Sequence, residues 1–191
     1  RRRFREVLAD ELRRVQSEDG TSFGLAFIDI DSFKSINDTY GHAAGDMVLR
    51  QFAKVVRRHI PDSATFARLG GDEFVLLLPE TDDETLRGQL ERLRKACEET
   101  RLTHAERPIR LNISAGGYVF RGVAADVDTP EEEERLISDL FRYADTALYA
   151  SKQEGRNRVT LWHPGCSLPC SRRTAYAENQ DQAPSDDAKE A

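Results

Sequence analysis

Long apolar runs are missing from this sequence. No stretch approaches the roughly 18 consecutive apolar residues of a membrane span, so no membrane contact is expected. The opening Arg1-Arg2-Arg3-Phe4 also lacks the apolar segment of a secretory signal. Cysteine is scarce: Cys97 lies inside a helical pattern, and Cys166 and Cys170 lie near the end. Three such residues make no disulfide framework, and the reducing cytoplasm is the expected location. Net positive charge is lacking too. A formal charge of -6 argues against a general polyanion-binding surface, so nucleic acid is not the expected partner. No internal repeat is visible, and no Gly-x-x-x-x-Gly-Lys-Ser/Thr occurs, so any phosphate site here is not a P-loop. The chain does not begin with Met, and it is expected to be a piece of a longer protein.

What is present suits one ordinary domain with a tail, since 39% of the 191 residues are hydrophobic, enough for a sizeable core. Residues 2 to 16 place Phe4, Val7, Leu8, Leu12 and Val15 at helical spacing, and Asp19-Gly20 is expected to close that helix. The nearly continuous apolar run from Phe23 to Ile30 reads as a central strand covered on both faces. A short turn and helix follow. Gly41 to Asp46 then leads into a longer helix that Pro61 stops. A hairpin is expected over 64 to 78, and Thr81-Asp82-Asp83-Glu84 reads as a capping box opening a further helix. A strand over 109 to 119, a helix over 132 to 154 and a short strand over 157 to 162 complete the pattern. Residues 163 to 191, rich in Pro, Ser, Asn and Gln, read as a disordered tail, leaving 1 to 162 as the domain. The expected class is α+β: one mixed, partly antiparallel five-stranded sheet layered with helices.

The chemistry concentrates around Arg68-Leu69-Gly70-Gly71-Asp72-Glu73-Phe74. A glycine pair suits a tight hairpin, but two acids abutting the strand Phe74 to Leu78 ask for a further reason. A hard cation near a phosphate is one, because Mg²⁺ takes carboxylate oxygens at about 2.1 Å and shares its shell with substrate phosphates. A solvated turn is the plainer reading. Upstream, Asp29 and Asp31 bracket Ile30 at the end of the buried strand. If the hairpin pairs beside that strand, about 4.8 Å away, both sets of acids can reach a common cation. Asp29 read alone would also serve as an N-cap. The turn Asp31-Ser32-Phe33-Lys34, between a strand and a helix, can present backbone N–H groups to an anion. Lys152 and Arg156, four apart, would share a face if their helix extends that far, offering charge to a triphosphate or merely capping the helix dipole. Asn37 and Asp46 pair an amide with a carboxylate, the groups that read guanine edges, though neither says so alone.

Together these segments resemble the GGDEF family of diguanylate cyclases. The resemblance runs through Ile28-Asp29-Ile30-Asp31-Ser32-Phe33-Lys34, Ile36 to His42, Gly45-Asp46, the hairpin heptad, Ser114-Ala115-Gly116, Ala144 to Tyr149, and Lys152 with Gly155-Arg156-Asn157-Arg158. It implies a ferredoxin-related, nucleotidyl-cyclase palm-like fold and condensation of two GTP into cyclic di-GMP with release of two pyrophosphates, in bacterial second-messenger signalling. By motif position, Asp29, the Ile30 carbonyl and Asp72 would hold Mg²⁺, with Mn²⁺ the alternative ion. Glu73 would help hold metal or help deprotonate the 3′-hydroxyl. Asn37 and Asp46 would read guanine, Ser32, Phe33 and Lys34 would line the phosphates, and Lys152 and Arg156 would reach the distal ones. Gly70 and Gly71 would admit the nucleotide. His42 falls within the substrate-facing motif, although read alone it is a local turn residue. An antiparallel homodimer and an upstream sensory or dimerisation segment are implied as partners. The alternative is a module that binds GTP or cyclic di-GMP without turnover, but such relatives usually carry a damaged hairpin motif. Many relatives also carry an Arg-x-x-Asp product-inhibition motif five residues before the first hairpin glycine; here Pro61 and Ala64 stand in those places, with Arg58 and Asp62 nearby but out of register.

Overall fold

The computed structural model describes residues 2–18, 21–122 and 129–163. Within them the elements run α1 (Arg2–Ser17), β1 (Ser22–Ile30), α2 (Phe33–Tyr40), α3 (His42–His59), β2 (Thr65–Gly70), β3 (Glu73–Pro79), α4 (Asp83–Glu98), β4 (Arg101–His104), β5 (Arg107–Arg110), β6 (Ile113–Arg121), α5 (Pro130–Gln153) and β7 (Val159–Leu161). The expected closure of α1 at Asp19-Gly20 and the tail with Cys166 and Cys170 lie outside the described residues.

The main sheet has the order β2-β3-β1-β6-β7. β1 pairs antiparallel with β3 and with β6, and β7 joins parallel to β6, so the expected mixed five-stranded sheet is present. β1 earns the central place through composition, since every residue after Ser22 is buried. Its side chains alternate between two layers, as the pleat requires. Ala26, Ile28 and Ile30 face one cluster with Val48, Phe52 and Leu90, while Phe23, Leu25 and Phe27 face another with Leu8, Leu12, Leu140 and Phe141. That parity sends Asp29 to the side of α1 and α5.

The seat of α5 depends on Gly116 in β6. A Cβ there would stand 1.8 Å from the Leu148 nitrogen and 2.5 Å from the Ala144 oxygen. The helix backbone therefore rests directly on the strand. At the far end of α5, Ser151 is buried with its hydroxyl 2.8 Å from both the Ala115 carbonyl and the Thr160 hydroxyl, which locks the last turn to the sheet.

Three local expectations need correction. The stretch read as one strand over 109 to 119 is split into β5 and β6, and β5 forms a second, two-stranded sheet with β4. Its turn consists of Ala105 and Glu106 at φ of 47° and 60°, residues that rarely adopt such angles and so send no turn signal. Thr81 is not the cap of α4: Asp82 is, accepting from the Thr85 N–H at 2.8 Å. A full capping box occurs instead at α5, where Thr129 accepts from the Glu132 N–H and Glu132 reaches back. Asp29 is no N-cap either, because it belongs to β1 and α2 begins four residues later.

Gly116→Ala tests the seat. Because the obstructing atoms are backbone, the helix must lift, and the variant is expected to lose about 3 kcal/mol of stability in denaturant unfolding. A loss under about 0.5 kcal/mol, the range of neutral surface changes, would show that α5 does not rest on β6 as described.

Candidate active site

The site lies where β1, β3 and β6 end together. Antiparallel register sets Asp29 opposite Glu73 on one side and opposite Ser114 on the other. The hairpin turn continues the pairing, since the Ile30 N–H donates to the Asp72 carbonyl at 3.3 Å. Gly71 makes the turn possible with φ of 52° and open space where a Cβ would be. Gly70 precedes it, at a register shift after Arg68. The Arg68 Nε–H donates to the Gly71 carbonyl at 2.8 Å and braces the tip. Asp72 is half-buried and Glu73 exposed.

Asp29 is 6% exposed, and the Lys152 ammonium stands 2.7 Å from its Oδ2. Burial pushes the Asp29 carboxyl up to about 6; Lys152 opposes that rise, and the like charges of Asp72 and Asp31 add to it. Lys152 thus serves as the cation beside the buried carboxylate, a position expected from sequence only to face phosphates. Arg156 is not on the same helical face. α5 ends at Gln153, and Arg156 is exposed in the following loop at φ of 63°. Asp31, bracketed with Asp29 in the sequence but given no role there, bonds to the Ser114 hydroxyl at 2.7 Å and the Asn157 N–H at 2.9 Å. Neither Ser114 nor Asn157 stood out beyond membership of the family motifs.

The turn into α2 holds Ser32 at φ of 58°, with Ser32 and Lys34 exposed and the Phe33 ring buried. Any contact of Phe33 with an anion is therefore through its backbone. Asn37 on α2 lies against Gly45 of α3, the residue before the exposed Asp46, at the corner the two helices form. The Asn37 Oδ1 lies 1.9 Å from where a Cβ on Gly45 would stand, so only the absence of that carbon lets the amide sit there. Gly41 alone separates the helices, and His42 is the exposed first residue of α3 rather than a turn residue.

Among the described residues, no group of three or more His, Cys, Asp or Glu is gathered closely enough to hold a metal unaided. The donor set at the strand ends, Asp29, Asp72, Glu73 and the Ile30 carbonyl, is all oxygen. It fits Mg²⁺, an ion that keeps several waters and completes its shell with substrate phosphates rather than a protein cage. Zinc, which favours Cys and His, would not suit it. At the other end of the sheet a hollow of about 460 Å³ is lined by Arg58, Pro61, Ser63, Thr81, Gln89 and Arg92, among others. No helix among the described residues is long and apolar enough to cross a membrane.

The raised Asp29 carboxyl has a consequence for stability. With a folded value of about 6 against about 4 unfolded, this group's favourable contribution is full below pH 4 and lost as pH rises through 6. In metal-free buffer at pH 7, Asp29→Asn should therefore be at least as stable as the parent chain, by up to about 3 kcal/mol, with the gap closing toward pH 4. Thermal unfolding across that range checks this; a variant less stable at pH 7 would mean that the Lys152 pair outweighs burial.

Comparison with known proteins agrees with this geometry. The family profile described as "Diguanylate cyclase, GGDEF domain" matches residues 1–158. Diguanylate cyclase A of Treponema denticola is 38% identical over 160 residues, 83% of this chain and 40% of that protein. Diguanylate cyclase DosC of Escherichia coli is 41% identical over 145 residues, 75% of this chain and 29% of that protein. The crystal structure of the coiled coil and GGDEF domain of DgcB from Caulobacter crescentus, in complex with c-di-GMP, matches with a TM-score of 0.73 at 30% identity, covering 84% of this chain and 80% of that one. The chain thus spans less than half the length of these two curated relatives, and its fold is the nucleotidyl cyclase palm of its structural neighbours. With the family profile matched over residues 1–158 and the fold shared with its solved members, the chain belongs to the GGDEF family of diguanylate cyclase domains.

Proposed function

We propose that this domain condenses two GTP molecules into cyclic di-GMP and two pyrophosphates, with each protomer of an antiparallel homodimer holding one GTP. The observation that carries this reading is the register of Asp29 against the hairpin acids, with Lys152 beside them at the open end of the sheet. A non-catalytic binding module has less support, because a receptor has no need to keep a buried carboxylate at raised energy next to an intact pair of hairpin acids.

The roles follow from position. The corner of α2 and α3 receives guanine, with Asp46 accepting from N1–H and N2–H and Asn37 bonding the purine edge. The exposed turn at Ser32 and Lys34 faces the phosphates through backbone N–H groups, Phe33 contributing its backbone and its ring anchoring the turn. His42, at the exposed start of α3, belongs to the rim of the base cleft. Gly70 and Gly71 keep side-chain bulk off the hairpin tip. Lys152 and Arg156 supply positive charge to the distal phosphates, with Lys152 moving between Asp29 and the nucleotide. Bound Mg²⁺, held by Asp29, Asp72 and the Ile30 carbonyl, would supply charge neutralisation at the phosphates and activation of the attacking hydroxyl. Glu73, exposed and opposite Asp29, either helps hold that metal or takes the 3′-hydroxyl proton. Since each hydroxyl attacks the other nucleotide's α-phosphorus, equivalent half-sites must face each other about a two-fold axis. The reading also places the domain in the cytoplasm, where GTP is available, with an upstream segment supplying dimer contacts.

Pyrophosphate release from GTP with Mg²⁺, followed at several protein concentrations, tests this. Specific activity should rise with concentration as the dimer forms, ATP should not substitute, and Asp72→Ala should lower turnover by well over tenfold while the fold is kept. Near-normal turnover in purified Asp72→Ala would remove the metal role.

Product feedback is expected to be weak. Pro61 and Ala64 hold the places of the relatives' Arg and Asp, and neither carries a side-chain donor or acceptor. Arg58 and Arg92 line the hollow that Pro61 borders, where Glu80 is the only carboxylate among the described residues. Cyclic di-GMP titrated against turnover at saturating GTP should inhibit little. Tight, noncompetitive inhibition that disappears in Arg58→Ala would show that the hollow replaces the missing motif.

A further inference from the structure

Asp31 is buried at the end of β1, two residues beyond the proposed metal ligand Asp29, yet hydrogen bonds occupy both of its carboxylate oxygens. Oδ1 accepts from the Ser114 hydroxyl at 2.7 Å, with Ser114 fully buried, and Oδ2 accepts from the Asn157 backbone N–H at 2.9 Å. The Asp31 N–H in turn donates to the Asn112 carbonyl at 2.9 Å. One side chain therefore ties together β1, β6 and the loop after α5.

That loop is held in an uncommon shape. Gly155, Arg156 and Asn157 have φ of 112°, 63° and 46°, and the last two are not glycine. Consecutive left-handed residues with side chains persist only where the surroundings impose them. Three sets of bonds do so here. The Arg156 N–H donates to the Ser151 carbonyl at 3.0 Å; the Asn157 side chain lies between Glu98 and Arg94 of α4 at 2.8 and 3.1 Å; the Asn157 N–H is held by Asp31. Of these, the bond to Asp31 alone links the loop to the strand that carries Asp29.

We propose that Asp31 is a positioning residue: its buried carboxylate braces the left-handed Arg156-Asn157 turn against the end of β1, and so sets where the Arg156 guanidinium stands relative to the strand-end acids. The proposal rests on the reading that Arg156 meets nucleotide phosphates. With the acceptor gone, the Asn157 N–H is left without its charged partner and the turn relaxes toward ordinary backbone angles, carrying Arg156 with it.

The test uses Asp31→Asn, which keeps the size but turns an amide NH₂ toward one of the two donors. In nucleotide-free protein, amide hydrogen exchange over 155–158 should speed up by about tenfold. Ser114→Ala, which keeps the Asn157 bond and frees only the other oxygen, should speed it by about twofold to threefold, and it decides the matter if Asp31→Asn does not fold. Unchanged exchange in the folded variant overturns the brace, whatever the chain binds. In equilibrium binding of GTP with Mn²⁺, Asp31→Asn and Arg156→Ala should each weaken affinity by about tenfold, and the double variant should be little weaker than either alone. Full additivity overturns the link to Arg156. GMP, which has no distal phosphates, should bind the parent and Asp31→Asn alike; equal losses for GMP and GTP would mean that Asp31 acts on the fold at large. Weakened binding of Mn²⁺ alone to Asp31→Asn would make Asp31 a metal ligand and overturn the proposal. A parent chain that binds no GTP would overturn the cyclase reading, and the exchange measurement would still decide the brace.

Discussion

Antiparallel pairing of β1 on both of its edges is the constraint from which the site follows. A strand buried on both faces can carry a carboxylate only near its end, and pairing with β3 and β6 then decides what stands beside it. In this chain the neighbours are the hairpin acid Glu73 and the core hydroxyl of Ser114. Strand parity sends the Asp29 side chain toward α5, and the close seat of α5 on Gly116 brings Lys152 within reach of it. Sheet register, helix depth and electrostatics are thus a single arrangement seen at three scales.

That arrangement holds an acid in a place water would not favour. Burial raises the Asp29 carboxyl, and the nearby acids raise it further, while Lys152 draws it down. A polar cluster of this kind does not stabilise the fold by itself. Under the proposed function, a doubly charged cation would gain more there than at an exposed carboxylate pair, with the Lys152 ammonium already beside it.

Much of this was legible in the residues. Apolar periodicity placed β1, the hairpin and the long helices, because those signals come from burial, which operates over the whole chain. The acids of the site were visible as acids where hydrophobic strands end. Less legible were features fixed by local backbone geometry or by single hydrogen bonds. The turn at Ala105 and Glu106 has no glycine or asparagine to announce it, so β4 has no signal in the sequence and β5 reads as one strand with β6. The cap of α4 moved one residue because Thr81 is buried and its carbonyl accepts from the Ser22 hydroxyl, a tertiary contact that local pattern does not contain. Arg156 looked like part of a helical face because spacing says nothing about where α5 stops. The different tasks of Asp29 and Asp31, identical in type and two residues apart, emerge only once the β6 hydroxyl and the loop N–H are in view.

The outer strand β2 bears on how copies of this domain meet. A sheet edge is open to pairing with any other strand unless something blunts it. β2 is six residues long, carries the exposed Arg68 near its end and shifts register between Arg68 and Gly70, and the shift turns the strand out of line with a would-be partner. Charge and irregularity at that edge disfavour endless strand-to-strand stacking. If two copies pair as proposed, their approach is left to the mouth of the sheet beside the hairpin turn.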